Sequence, residues 1–312
     1  MSLAHAARKL AQPHTFAFSM LSWGIRMNDQ SNGLAPILCA HLLGKVDEEL
    51  VDLLNALEPR EWDLQTIAPL WKVRDVTAHL LDTALRKLSM VRDSCYVETV
   101  TIRSQQDLIA LVNRLNAEGV TVYRRLSPRV LIDMMKSACE QSARFHESLD
   151  PFAPATFNVS WAGEDRSLNW FDTARELTER WHHQQQIRLA TNRPGIMTRD
   201  LYHPVLDCFV RGLPHAFRDV DAPVGTVVLL EIAGECGGQW FLSKGPTRWN
   251  FVARPAEEFT SRVTMSQELA WRVFTKGMDT KDIDRDSPRE QITVEGNREL
   301  GEKVLGLTSI VG

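Results

Sequence analysis

The chain has 312 residues, long for one compact domain and comfortable for two. Hydrophobic residues make up 44% and charged residues 24%, the balance of a soluble globular protein. Lys plus Arg number 36 and Asp plus Glu 40, so the net charge of −4 gives no electrostatic reason to expect nucleic acid or an anionic membrane as partner.

Residues 1–30 read as a disordered leader. The basic pair Arg8-Lys9 precedes a short, mostly apolar run from Phe16 to Trp23, but Arg26 follows and no small-residue cleavage site does. Met27 is a candidate natural start. No segment reaches the roughly 18 uninterrupted apolar residues of a membrane span.

Helices fill the next two thirds. Ile37, Leu38, His41, Leu42, Val46, Leu50, Leu53, Leu54 and Leu57 recur mostly at three- and four-residue steps, an amphipathic stripe that Pro59 stops. A second helix is predicted from Val73 to Val91 and a third from Gln105 to Leu126. Ser127-Pro128 caps a fourth, from Val130 to Leu149. Pro151, Pro154 and Gly163 make Asp150 to Arg166 a loop. The fifth helix spans Leu168 to Thr191 and ends at Asn192. A sixth, from Asp200 to Arg218, breaks near Gly212 and Pro214.

The texture changes after Pro223. Thr226 to Ile232 is rich in branched residues and reads as a strand, turning at Gly237-Gly238 into a partner from Gln239 to Leu242. Further strands are expected at Trp249 to Ala253, Ser261 to Met265 and Gln291 to Glu295, with helices at Gln267 to Phe274 and Arg298 to Leu305. The expected organisation is therefore a helical domain over residues 31–222 and a smaller domain with strands over residues 223–312.

Five cysteines, Cys39, Cys95, Cys139, Cys208 and Cys236, include no pair at the spacing of a zinc ribbon. An odd count without such spacing reads as reduced thiols in the core of a cytoplasmic protein.

One segment could carry chemistry. In RELTERWHHQQQIR, Glu179 and His183 are four apart and stack on one helix face, half of a metal site. Glu176 shares that face approximately, and His182 points a quarter turn away. A third ligand must come from elsewhere. Periodicity offers His79 and His41 and does not choose between them. Trp161, Trp170 and Trp181 are either pocket lining or core, and core is the commoner fate of such residues.

The stretch from Leu54 to Asp82 resembles the N-terminal part of the mycothiol-dependent maleylpyruvate isomerase-like family, a DinB-related group of metal-binding helical bundles. Leu57, Pro59, Trp62, Thr66, the run Trp71-Lys72-Val73-Arg74-Asp75 and Ala78-His79-Leu80 carry the likeness. The segment from Glu179 to Arg188 resembles the family's second motif. The resemblance implies His79, Glu179 and His183 as metal ligands, with zinc foremost and nickel, iron or manganese compatible with the set. It implies an α+β fold: an antiparallel DinB-like bundle, then a smaller mixed α/β domain that looks sterol-carrier-like. It also implies a low-molecular-weight thiol such as mycothiol, a small-molecule electrophile and S-transfer or isomerisation. A binding protein without activity, or a metal-dependent hydrolase, would use the same ligands. Arg188 is a candidate for gripping an anionic substrate. Relatives often carry Asp three residues after the ligand histidine; here that position is Gln186. The sequence is silent on oligomeric state.

Overall fold

The computed structural model describes residues 33–96, 100–255, 258–275 and 292–310. The expected leader, the start at Met27 and Gln291 of the last expected strand lie outside the described residues.

Helix α1 (Ala40–Asn55) buries Leu43, Val46, Leu50, Leu53 and Leu54, the predicted stripe. It starts after Ile37, which reaches the core from the extended lead-in and so counts in the stripe without being helical. Helix α2 (Val73–Lys87) begins where the Lys72 amide donates to Asp75 Oδ2 at 3.0 Å. It runs on into one wider π turn, Leu88–Arg92. Helix α3 (Gln105–Tyr123) is capped reciprocally by Ser104 and Asp107, and α4 (Pro128–Ser148) by Ser127 with proline in its first turn. Gly119 lets α3 approach α2: a Cβ there would lie 2.2 Å from Asp82 Cγ.

Helix α5 (Asn169–Thr191) ends as expected at Asn192, which takes the left-handed conformation at φ 52°. It packs against α1, α2 and α6 (Arg199–Val210). Of its residues, Trp170, Phe171, Ala174, Leu177, Trp181 and Ile187 are buried together with many polar neighbours, so it has little solvent face. The break expected near Gly212 separates α6 from the short α7 (Leu213–Ala216).

Five strands then form one mixed sheet in the order β3-β2-β1-β4-β5. β1 (Val227–Ala233) pairs antiparallel with β2 (Gly238–Lys244), as the hairpin reading predicts, with Leu230 opposite Trp240. β3 (Trp249–Val252) extends that edge. On the other side β1 runs parallel to β4 (Ser261–Ser266), which pairs antiparallel with β5 (Ile292–Gly296). α8 (Gln267–Phe274) follows β4; α9 (Arg298–Leu305) follows β5 and packs on β4 and β5. Val228, Leu230, Ile232, Trp240, Leu242, Val263 and Met265 point from the sheet into one apolar cluster with residues of α5, α6 and α8.

That cluster takes in Trp161, Trp170 and Trp181, so all three are core residues. Trp181 stacks on Tyr202 at 4.1 Å between ring centres and meets Trp271 of α8 edge-on at 6.2 Å. The cysteines are free; Cys39, Cys139, Cys208 and Cys236 are buried, and burial pushes the Cys39 thiol up to about 12. Cys95 is exposed. Among the described residues no helix is long and apolar enough to cross a membrane.

Candidate metal centre

Helices α2 and α5 pack side by side, and their facing sides bring His79 next to Glu179 and His183. Each residue offers a ligand atom, and these atoms lie within 4.8 Å of one another. Among the described residues this is the cluster of histidine and carboxylate that could hold an ion. His41, the other candidate for third ligand, is exposed on α1. Glu176 faces a different set of partners, described below.

The individual atoms are suitably disposed. His183 Nε2 lies 3.5 Å from Glu179 Oε2, the four-residue spacing at work. Its other nitrogen, Nδ1, lies 3.0 Å from Gln186 Oε1. With the proton on Nδ1 this carbonyl accepts it, and Nε2, beside Glu179, carries the lone pair that a metal needs. His79 is 3% exposed, and its Nδ1 is buried without a hydrogen-bond partner. A buried imidazole nitrogen without a partner is costly unless something else satisfies it.

Electrostatics favour the ligand forms. Burial, reinforced by His183, holds the His79 pKa well below the usual histidine range, so its ring is neutral at pH 7. Burial alone would raise Glu179, but the His183 ring beside it, His182 and Arg175 outweigh it and hold the carboxyl at about 2. The charges of Arg86 and Arg175 reach the triad from either helix. His182 packs on the His183 ring with 3.9 Å between ring centres, its Nδ1 lies 2.9 Å from the Thr178 carbonyl, and burial lowers it to about 3.

Residues 43–188 match the model of the mycothiol maleylpyruvate isomerase N-terminal domain. The match spans both motifs and all three residues of the triad. A crystal structure of a single-substitution variant of mycothiol-dependent maleylpyruvate isomerase is similar to this chain with a TM-score of 0.50 and 11% identity. The likeness covers 84% of this chain and 93% of that one, and at this identity it speaks for the fold, sheet included. A second structure of mycothiol-dependent maleylpyruvate isomerase aligns over the same shares at 12% identity and a TM-score of 0.48. No curated protein matches the chain.

Arg188, the candidate for gripping an anionic substrate, is engaged by neighbours in this structure. It is buried, bonds to the Pro194 carbonyl, and reaches Glu49 Oε2 at 3.0 Å. Gly195 makes room, since a Cβ there would lie 2.1 Å from Arg188 Nη1. The side chain clamps the end of α5 to α1, and none of its bonds goes to the triad. Conversely, Trp71 packs on both histidines and was legible only as a motif residue, because nothing in the spacing places a residue from the loop before α2 over a site on α5.

A second polar cluster occupies the preceding turns of α5. Asp172 takes Lys87 Nζ at 2.6 Å and Arg175 Nη2 at 2.6 Å, and burial, which would raise its pKa, is overcome by those two cations. Arg180 bonds Asp47, Ser142 Oγ at 2.7 Å and Glu176 Oε1 at 3.4 Å. Burial lifts Asp47 to about 6 despite Arg180. His146 Nδ1 meets Thr173 Oγ1 at 3.0 Å, and burial lowers this ring to about 4.

Proposed function

We propose that the chain holds one divalent metal ion through His79, Glu179 and His183 and uses it with a low-molecular-weight thiol, such as mycothiol, in thiol transfer or isomerisation. The observation that carries the reading is the donor set: two imidazoles and one carboxylate within 4.8 Å, with a buried His79 nitrogen that has no partner. The family of the domain, named for mycothiol and maleylpyruvate isomerase, supports the thiol and the reaction class. Zinc suits two nitrogens and one oxygen, and three protein ligands are the pattern of a catalytic site.

An ion held by His79, Glu179 and His183 would supply a Lewis acid that lowers the pKa of a bound thiol. The protein supplies the rest. Burial keeps His79 neutral, Gln186 meets His183 at Nδ1, and Glu179 stays ionised.

The test is elemental analysis of protein purified without chelator, as wild type, His79→Ala and His183→Ala, followed by turnover with and without added thiol. Near-stoichiometric metal in wild type and loss in both variants is expected, together with an absolute thiol requirement. Metal-free wild type would sink the reading. Metal-dependent turnover that ignores thiol would move the function to hydrolysis.

A further inference from the structure

We propose that Trp71 is the positioning residue of the metal centre: a pinned loop presses its indole against both ligand imidazoles and closes one side of the space between them. This rests on the metal reading above. The indole centre lies 4.6 Å from the His79 ring and 5.8 Å from the His183 ring, and the two imidazoles are 4.6 Å apart. Three rings packed as a triangle restrain one another. Neither imidazole rotates without moving the indole, so the donors stay in place before any ion arrives.

The indole is itself held from behind. The Trp71 carbonyl accepts bonds from the Thr66 amide at 3.2 Å, Thr66 Oγ1 at 2.7 Å and Gln65 Nε2 at 2.9 Å. The Trp71 amide donates to the Ala68 carbonyl at 3.0 Å, closing a turn with Pro69 at its second position, where proline's fixed φ suits the turn. An isolated bridge pairs Gln65 with Lys72, whose amide is tied to Asp75 in the first turn of α2. Leu70, between Pro69 and Trp71, is 90% exposed, so this ordered loop presents the indole and leaves its neighbour in water. A side chain that merely filled a gap in the bundle would need no such anchoring. Preorganised donors bind more tightly because less freedom is lost when the ion enters.

The experiment uses the full chain as wild type, Trp71→Phe and Trp71→Ala. Zn(II) affinity is measured by competition with a chromogenic chelator, Co(II) quenching by tryptophan emission, and stability by the melting midpoint of the metal-free protein. Trp71→Ala is expected to bind Zn(II) about 10- to 100-fold more weakly, the usual effect of removing a group that orients metal ligands. Trp71→Phe keeps an aromatic face and should stay within about threefold of wild type. Co(II) should quench a larger share of emission in wild type than in Trp71→Phe, because the indole nearest the ion is gone. A lower melting midpoint in Trp71→Ala with Zn(II) affinity equal to wild type would overturn the proposal. Should Trp71→Ala not fold, equal fractional quenching in wild type and Trp71→Phe would overturn it instead. Wild type that binds no Zn(II) fails the metal reading itself, and that is seen before any variant is compared.

Discussion

Successive turns of α5 carry two buried polar clusters made from similar residues, and they differ in whether their charges are already answered. Around Asp172, Glu176 and Arg180, cations and carboxylates meet: Lys87 and Arg175 on Asp172, Arg180 on Asp47 and Glu176. Around Glu179 and His183 the groups are two imidazoles and a carboxylate, all able to offer lone pairs, and His79 Nδ1 has no partner at all. Burial of charge is common to both, so burial alone does not mark a site. Single unpartnered atoms occur in both, at Asp47 Oδ1 and His146 Nε2 as at His79 Nδ1; what sets the candidate site apart is that donor atoms of three residues converge within 4.8 Å with no cation among them.

Three perturbations would break or sharpen that contrast. Asp172→Asn removes the carboxylate shared by Lys87 and Arg175, and Lys87 is nearly fully buried. Leaving such a cation without its partner should cost about 3–5 kcal/mol in urea unfolding. Metal content of the folded fraction should stay at the wild-type level; a loss of metal as well would show that the clusters are one unit.

Acid should act on the metal-free protein through the buried rings. His79, His146 and His182 all have pKa values lowered by burial, His146 to about 4 and His182 to about 3. The unfolded chain takes up their protons near pH 6.5, the folded one does not, so stability is whole above that pH and falls as pH drops toward 4. Asp47, raised to about 6, works the other way and offsets part of the loss. In His146→Gln the pH slope of unfolding free energy between pH 4 and 6.5 should be shallower by about one proton, roughly 1.4 kcal/mol per pH unit. An unchanged slope would mean that the ring is hydrated or protonated in the fold.

The smallest effect tests the Gln186 amide beside His183. Gln186→Leu removes the acceptor at 3.0 Å from His183 Nδ1 and should weaken Zn(II) binding by about tenfold, at the lower end for an outer-shell partner. Gln186→Asp should bind at least as tightly as wild type, since a carboxylate is the stronger acceptor.

Much of this was readable from residues. The stripe of α1, the cap at Ser127, the stop at Asn192 and the hairpin at Gly237-Gly238 each follow from a local rule, and each is present. The pairing of Glu179 with His183 is equally local, being fixed by helix pitch. His79 was not: only packing of α2 on α5 selects it over His41, and family likeness stood in for that packing. Arg188 misled because its position on the ligand helix says nothing of its direction, which the clamp to Pro194 and Glu49 decides. The parallel pairing of β1 with β4 was beyond local reading too, since it depends on where the chain returns after β3.

The burial of α5 on nearly every side gives the ligand helix a second character. Its other faces seat Trp181 on Tyr202 and Trp271, against the sheet. A helix gripped this way behaves as an axle in a fitted bearing: it cannot roll by a few degrees without unstacking aromatic rings on its far side. The precision with which Glu179 and His183 are held is therefore borrowed in part from the hydrophobic core on the far side of the helix, and the sheet serves the candidate centre as the housing that keeps the axle true.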